Sequence, residues 1–539
     1  MTTESLSVAV ERPHSDVLSR LIDDQVASSL AAKDPTLWGP EAEPEASVRL
    51  GWVDLPRASR PLLAEIDALR ADLRQEGLDH IVLAGMGGSS LAPEVITATA
   101  GVELTVLDST DPSVIRRAID DRLERTVLVV SSKSGSTVET DSHRRAYLRA
   151  FADAGVDGPS RIVVVTDPGS PLAKIAESEG YRKVFLADPN VGGRYSALSA
   201  FGLVPAGLAG VDVADLLDEA EAVTPTLRLD SSGNPALLLA ACLGGGHNEG
   251  HDKVALGKGA STNTGFGAWA EQLIAESTGK LGKGLLPVDL GGTGGTTPGW
   301  ARPGDDVTSV ALGSPHHSQA GQIITDGPLG AMFQLWETAV AMAGRVIGIN
   351  PFDQPNVEEA KRAARALLDQ PPASSDAPPP AYVDGAVEVY GDEDLLRGAT
   401  TVRDALAAIA AAVPAQGYLA VLAYLDREVD GQAAALREAL GGRAHFQVTF
   451  GWGPRFLHST GQYHKGGHPN GAFVEITGAI AEDLDVPDRP YTFGQLITAQ
   501  AAGDLAVLRD KGLPTLRLHL TDRKAGLAQL LEAAGKVSS

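Results

Sequence analysis

Between His80 and Leu186 the chain alternates short, uninterrupted apolar runs with amphipathic stretches: Ile81-Val-Leu83, Leu104-Thr-Val-Leu107, Val127-Leu-Val-Val130, Ile162-Val-Val-Val165 and Val184-Phe-Leu186. A strand with one face in solvent alternates polar and apolar residues, so continuous apolar runs mark strands covered on both faces. Helices between them supply that cover and bring the chain back each time in the same direction, which makes the sheet parallel. This pattern predicts a doubly wound α/β domain over residues 76–225.

The flanking regions read differently. Residues 1–75 carry apolar positions at helical spacing, in Val17 to Ile22 and again in Leu62 to Leu69, and are expected to be a helical lead-in. A second α/β region begins near residue 226 and runs to 370. The proline-rich stretch 371–380 then reads as an extended linker. Beyond it, in 381–539, further strand-like runs occur at Tyr418 to Leu422, His445 to Phe450, Phe473 to Thr477 and Leu516 to Leu518.

Two of the strand ends in the first domain open into small residues. Gly85-Met-Gly-Gly-Ser-Ser90 follows the first run, and Ser131-Ser-Lys-Ser-Gly-Ser-Thr137 follows the third. In the second loop the hydroxyls of Ser132, Ser134, Ser136 and Thr137 stand beside free amides at a helix start, where the helix dipole attracts an anion, and Lys133 adds a full charge. The glycines of the first loop, Gly88 among them, allow close backbone approach to a ligand, with Ser89 beside it. A serine-rich turn that only caps a helix is the ordinary alternative. There is no Gly-x-x-x-x-Gly-Lys-Ser/Thr, and the first loop departs from Gly-x-Gly-x-x-Gly at its last position, so nucleotides are poorly served. A sugar phosphate is the better expectation.

Charge supports a small ligand rather than a polymer. With 45 basic against 69 acidic residues the net charge is -24, which opposes nucleic acid. The single cysteine, Cys242, lies in an apolar run, so neither a disulfide framework nor a cysteine metal site is available, and it reads as a small buried hydrophobe. The N-terminus lacks the pattern of a secretory leader, and no apolar stretch reaches about 18 residues, so a cytoplasmic protein without a membrane segment is expected. Nothing resembles His-x-His or His-Glu-x-x-His, and neither a metal nor another cofactor is implied.

Five further segments, together with the two loops, resemble the phosphoglucose isomerase family. Asn190-Val-Gly-Gly-Arg-Tyr-Ser-Ala-Leu-Ser-Ala-Phe-Gly202 resembles its first signature. Asn350-Pro-Phe-Asp-Gln-Pro-Asn-Val-Glu-Glu-Ala-Lys361 resembles the second, with Asn356 where glycine is usual. Glu276-Ser-Thr-Gly-Lys280 is similar to the segment that carries the family's catalytic glutamate. Far downstream, Phe456-Leu-His-Ser-Thr-Gly-Gln-Tyr-His-Lys-Gly-Gly467 and Pro487 to Gln495 resemble the isomerase half of bacterial transaldolase/phosphoglucose isomerase fusions. The resemblance implies two flavodoxin-like sugar-isomerase (SIS) domains with parallel sheets, each a three-layer αβα sandwich. It implies that 381–539 folds back to complete the second domain.

The resemblance also implies roles. An aldose–ketose isomerisation needs a base to carry a proton between adjacent carbons, a cation for the enediolate, and an acid/base group to open the ring. Glu276 is the expected base, with Gln272 one helical turn before it on the same face. Arg194 is expected to steady the intermediate, and Gln354 and Lys361 to contact substrate and help ring opening. The family's ring-opening histidine normally follows the glutamate by a few tens of residues, yet Leu281 to Pro315 contains none. His458 is the expected substitute, because an imidazole can donate and accept near neutral pH, with His464, His316 and His317 as competitors. The expected activity is interconversion of glucose 6-phosphate and fructose 6-phosphate. The alternatives are a dual phosphoglucose/phosphomannose isomerase and a non-catalytic sugar-phosphate sensor. Members of the family tend to dimers, which makes a homodimer the oligomeric expectation.

Overall fold

The computed structural model describes residues 6–11, 13–291, 305–314, 323–354, 357–369, 379–442 and 444–537. The first described element is a strand, β1 (Ser7–Val10), followed by helices that include Ser15–Asp23, Val26–Ala31 and Pro61–Gln75. The first sheet follows: β2 (His80–Gly85), β3 (Thr105–Leu107), β4 (Thr126–Ser131), β5 (Ile162–Thr166) and β6 (Lys183–Leu186). Its order is β3-β2-β4-β5-β6, and every pairing is parallel. All residues of β2 and β4 are buried, as uninterrupted apolar strands require. Helix Pro112–Asp120 is started by Asp111, whose side chain accepts from the Ser113 amide, with Pro112 in the first turn.

The second sheet contains β7 (Lys253–Lys258), β8 (Leu286–Asp289), β9 (Val307–Leu312) and β10 (Ile323–Asp326), in the order β8-β7-β9-β10-β1. Here β1 pairs antiparallel with β10, Ser7 facing Asp326. The N-terminal segment is therefore not wholly helical: its first described residues close an edge of the second sheet. The expected boundary near 225 also falls inside a helix, Val213–Leu227, which packs on helix Leu329–Ile347 of the second unit.

Residues beyond the linker build a third sheet instead of extending the second. Its strands are β11 (Tyr382–Asp384), β12 (Val387–Gly391), β13 (Tyr418–Tyr424), β14 (Gln447–Trp452), β15 (Gly471–Gly478) and β16 (Thr515–Leu520), in the order β11-β12-β16-β15-β13-β14. The reason is local. All of β13 and most of β15 are buried on both faces, so they need their own flanking helices, and a hydrophobic cluster from Val387 to Ala534 fills one side. The other side shares a core with the second sheet, where Tyr418, Leu422 and Phe473 join Ala255, Leu286 and Val288. Helix Val357–Asp369 lies against helix Phe493–Asp510 across the same junction. Most of the expected linker, 371–378, lies outside the described residues. Cys242 is buried as expected, and burial pushes its thiol up to about 11. Among the described residues no helix is long and apolar enough to cross a membrane.

Candidate active site

In the first sheet the chain steps from β2 to one side and then returns past it to β4, so the carboxyl ends of these neighbours border a crevice. Open α/β sheets bind ligands at such a switch point. The two loops picked out from sequence leave these two strand ends. Close approach explains the glycines. A Cβ on Gly88 would lie 2.0 Å from the Gly193 carbonyl oxygen, and one on Gly87, at φ +56°, would meet Gln272 Nε2 at 2.8 Å and the His458 carbonyl oxygen at 2.9 Å. The first loop thus seats three distant segments against one another. Ser89 is buried in it.

In the second loop Ser132 Oγ and Thr137 Oγ1 lie 3.0 Å apart, and Ser132 Oγ accepts from the Gly135 amide at 3.1 Å. Ser134 and Ser136 pair their hydroxyls at 3.0 Å and are exposed. Helix Val138–Asp153 starts immediately after Thr137, so its free amides face the loop. Lys133 departs from the expected arrangement: its ammonium donates to Asp167 Oδ2 at 2.6 Å and to the Pro189 carbonyl at 3.1 Å. Its charge is neutralised beside the loop rather than held over it.

Arg194 and Glu276, 82 residues apart, form a buried pair at the centre. Arg194 is 2% exposed and Glu276 3%. Arg194 Nε donates to Glu276 Oε2 at 3.1 Å, while Nη1 donates to the Glu276 and Pro351 carbonyls at 2.8 and 2.7 Å. Nη2 donates to the Asp353 carbonyl at 3.2 Å. Gln272, one turn before Glu276 on helix Phe266–Thr278, donates from Nε2 to Glu276 Oε1 at 3.3 Å and to the His458 carbonyl at 2.9 Å. Its own Oε1 is buried without a partner.

His458 arrives from the third sheet, on the segment after β14. Its Nε2 lies 3.1 Å from Glu139 Oε1. Glu139 sits in the first turn of the helix that follows the hydroxyl loop, two residues past Thr137, so that loop and the imidazole are tied through one helical turn. Gln500 Nε2 donates to the same carboxylate oxygen at 2.8 Å, and Thr110 donates to Gln500 Oε1 at 2.6 Å. His464 is elsewhere: its Nδ1 bonds the Tyr418 hydroxyl at 2.9 Å, among Phe456 and Phe473, and burial lowers its pKa to about 3. His316 and His317 lie outside the described residues.

Gln354 follows the turn bound by Arg194 and is exposed. Lys361 lies on helix Val357–Asp369, and its side chain is outside the described residues. Sequence reasoning missed Glu139, Gln500, Thr110 and Lys280. Glu139 had a local signal, a carboxylate in the first turn after the hydroxyl loop, whereas Gln500 and Thr110 had none. Among the described residues one trio of metal-type donors gathers, His80, Glu103 and Asp121. It starts β2 at the end away from the loops, His80 bonds Thr126 and Thr105, and Arg122 takes both carboxylates.

Residues 72–280 match the family model for phosphoglucose isomerase. A glucose-6-phosphate isomerase of Cyanothece sp. is 32% identical over 349 residues, covering 53% of this chain and 65% of that protein. The chain thus spans just under two thirds of that relative's length. A probable glucose-6-phosphate isomerase of Natronomonas pharaonis is 31% identical over 377 residues, covering 61% of this chain and 87% of its own. The crystal structure of a glucose-6-phosphate isomerase from Chlamydia trachomatis superposes with a TM-score of 0.53 at 19% identity, covering 67% of this chain and 86% of its own, which shows a shared fold. By sequence and by fold, this chain belongs to the phosphoglucose isomerase family.

Proposed function

We propose that the protein is a glucose-6-phosphate isomerase, interconverting D-glucose 6-phosphate and D-fructose 6-phosphate through ring opening and an enediol. The observation that carries the reading is the sequestered Glu276 carboxylate, gripped by Arg194 at 3.1 Å and Gln272 at 3.3 Å beside the glycine loop that leaves β2. The hydroxyls of Ser132, Ser134 and Thr137 and the amides at the start of helix Val138–Asp153 hold the phosphate. The sugar then extends past Gly88 and Ser89 toward Arg194.

The chemistry needs three acts. With both ring nitrogens protonated, His458 donates from Nε2 to Glu139, and its Nδ1–H gives a proton to the ring oxygen as the C1–O bond breaks; the anomeric hydroxyl loses its proton to solvent, with Lys361 assisting. Glu276 then takes a proton from one carbon of the open chain and returns it to its neighbour. The negative charge that develops on oxygen meets the Arg194 guanidinium, whose remaining donors are already anchored on carbonyls and need no rearrangement.

The decisive experiment gives purified protein each hexose phosphate in turn and follows the other by coupled assay. The reading expects conversion in both directions and uptake of solvent deuterium at the carbon next to the carbonyl. No conversion in either direction would overturn it, and a parallel run with mannose 6-phosphate measures the breadth of the substrate range.

A further inference from the structure

Four residues beyond Glu276, the chain has left the base helix and turned into Lys280, whose side chain is 1% exposed. Its ammonium donates to the carbonyls of Asn350 at 2.8 Å and Asp353 at 2.7 Å and to Asp353 Oδ1 at 2.6 Å. Three N–H donors therefore meet three acceptors, which leaves this cation nothing to offer a phosphate. Arg194 binds the same turn from its other side, through Pro351 and Asp353. Two cations thus grip one four-residue turn at the edge of the site.

That arrangement is costly. Burial first, and the Arg194 charge second, lower the Lys280 pKa to about 7, with Asp353 and Glu276 acting in the opposite sense. A neutral donor could satisfy backbone carbonyls without such repulsion. What the ammonium adds is three bonds from one atom, drawing residues 350 and 353 together against the strand-like return of Lys280, which bridges to Lys283. Gln354 follows this turn directly in the chain.

We propose that Lys280 is a positioning residue for the isomerisation: by clamping the Asn350–Asp353 turn against Arg194, it sets Gln354 in register with Glu276. This rests on the isomerase reading above. Lys280 itself touches no substrate.

The test uses Lys280→Met and Lys280→Arg in the full chain, with steady-state kinetics from pH 6 to 9 and amide hydrogen exchange of residues 350–354. Lys280→Met is expected to lower kcat/KM about 30-fold, mostly through kcat, and to speed exchange in the turn about tenfold or more. The unmodified protein should show a loss of kcat/KM as pH rises past about 7, when the ammonium gives up one donor, and Lys280→Arg should lack that inflection. Methionine variants with kcat/KM within twofold, or with unaltered exchange in the turn, would overturn the proposal. If Lys280→Met does not fold, an inflection retained in Lys280→Arg overturns it equally. Absence of turnover in the unmodified protein would sink the isomerase reading alone, because exchange still reports whether Lys280 holds the turn.

Discussion

Replacing Glu276 by glutamine keeps the outline of the side chain and removes its charge and basicity. Both carboxylate oxygens are engaged, by Arg194 at 3.1 Å and Gln272 at 3.3 Å, in a site where Glu276 is 3% exposed. A glutamine can still present its carbonyl oxygen to Arg194 Nε, but its amide then faces the Gln272 Nε2 donor. Gln272 can answer by turning over its amide, since its Oε1 is buried without a partner, at the loss of its bond to the His458 carbonyl. Breaking a buried ion pair from one side commonly costs 3–5 kcal/mol. Here the guanidinium keeps the carbonyls of Glu276, Pro351 and Asp353, so a smaller loss of about 1–3 kcal/mol is expected.

The effect on chemistry is larger than the effect on stability. A positioned general base is worth about 100- to 10,000-fold, which at 1.36 kcal/mol per tenfold is about 2.7–5.4 kcal/mol of barrier. The hydroxyl loop proposed to hold the phosphate belongs to the first sheet, away from Glu276, so KM should stay within about threefold. The assay is turnover in deuterium oxide with parallel thermal unfolding. A folded Glu276→Gln protein that keeps kcat within tenfold, or still exchanges the hydrogen at carbon 2, refutes Glu276 as the base.

Ser132→Ala combined with Thr137→Val removes the paired hydroxyls of the cradle and should raise KM about tenfold with little change in kcat, a split visible in initial rates. Glu139→Gln leaves His458 without its carboxylate partner and should lower kcat about 100-fold; a folded variant with kcat within threefold of the unmodified protein would remove Glu139 from the mechanism. His464 governs stability instead. Its pKa falls to about 3 in the folded chain against about 6.5 when unfolded, so the unfolded state holds the extra proton between those values. Stability is therefore lost as pH drops from about 6.5 to about 3. His464→Gln should flatten that limb in urea titrations across pH, and an unchanged slope would contradict the burial argument.

What could be read beforehand follows the range of the interactions involved. The strands of the first sheet were legible because burial on both faces leaves its mark residue by residue, as in Val127 to Val130. The two loops were legible because a parallel sheet places its ligands at strand ends, and the loops abut those strands in the chain. By contrast Ser7–Val10 is four residues long, too short for a period, and its partner Ile323–Asp326 is some three hundred residues away. Glu139 was written inside the second loop's own motif and still went unassigned, since a carboxylate in a first helical turn is ordinarily a partner for the helix dipole. Only the arrival of His458 gives it other work, and no local pattern announces that arrival.

The third sheet explains why. An apolar strand of five to eight residues reads the same whichever sheet it joins, so the sequence of β13 and β15 could not decide between completing the second sheet and founding another. The outcome rests on contacts at long range. Arg117 of the first unit pairs with Asp426 at the end of β13, Arg455 beside His458 bonds Glu94 and Asp108, and Gln500 reaches Glu139. These ties join the third sheet to the first, whereas its apolar core is shared with the second. A segment held from both sides in this way can bring a histidine to the Gln272–Glu276 pair while lying nearly two hundred residues away in the chain, as His458 does. The order of these residues in the chain is then free to vary as long as the docking contacts survive, so Arg455→Ala should displace His458, and with it the Gln272 bond to the His458 carbonyl, and depress kcat while the hydroxyl loop after β4 keeps its geometry.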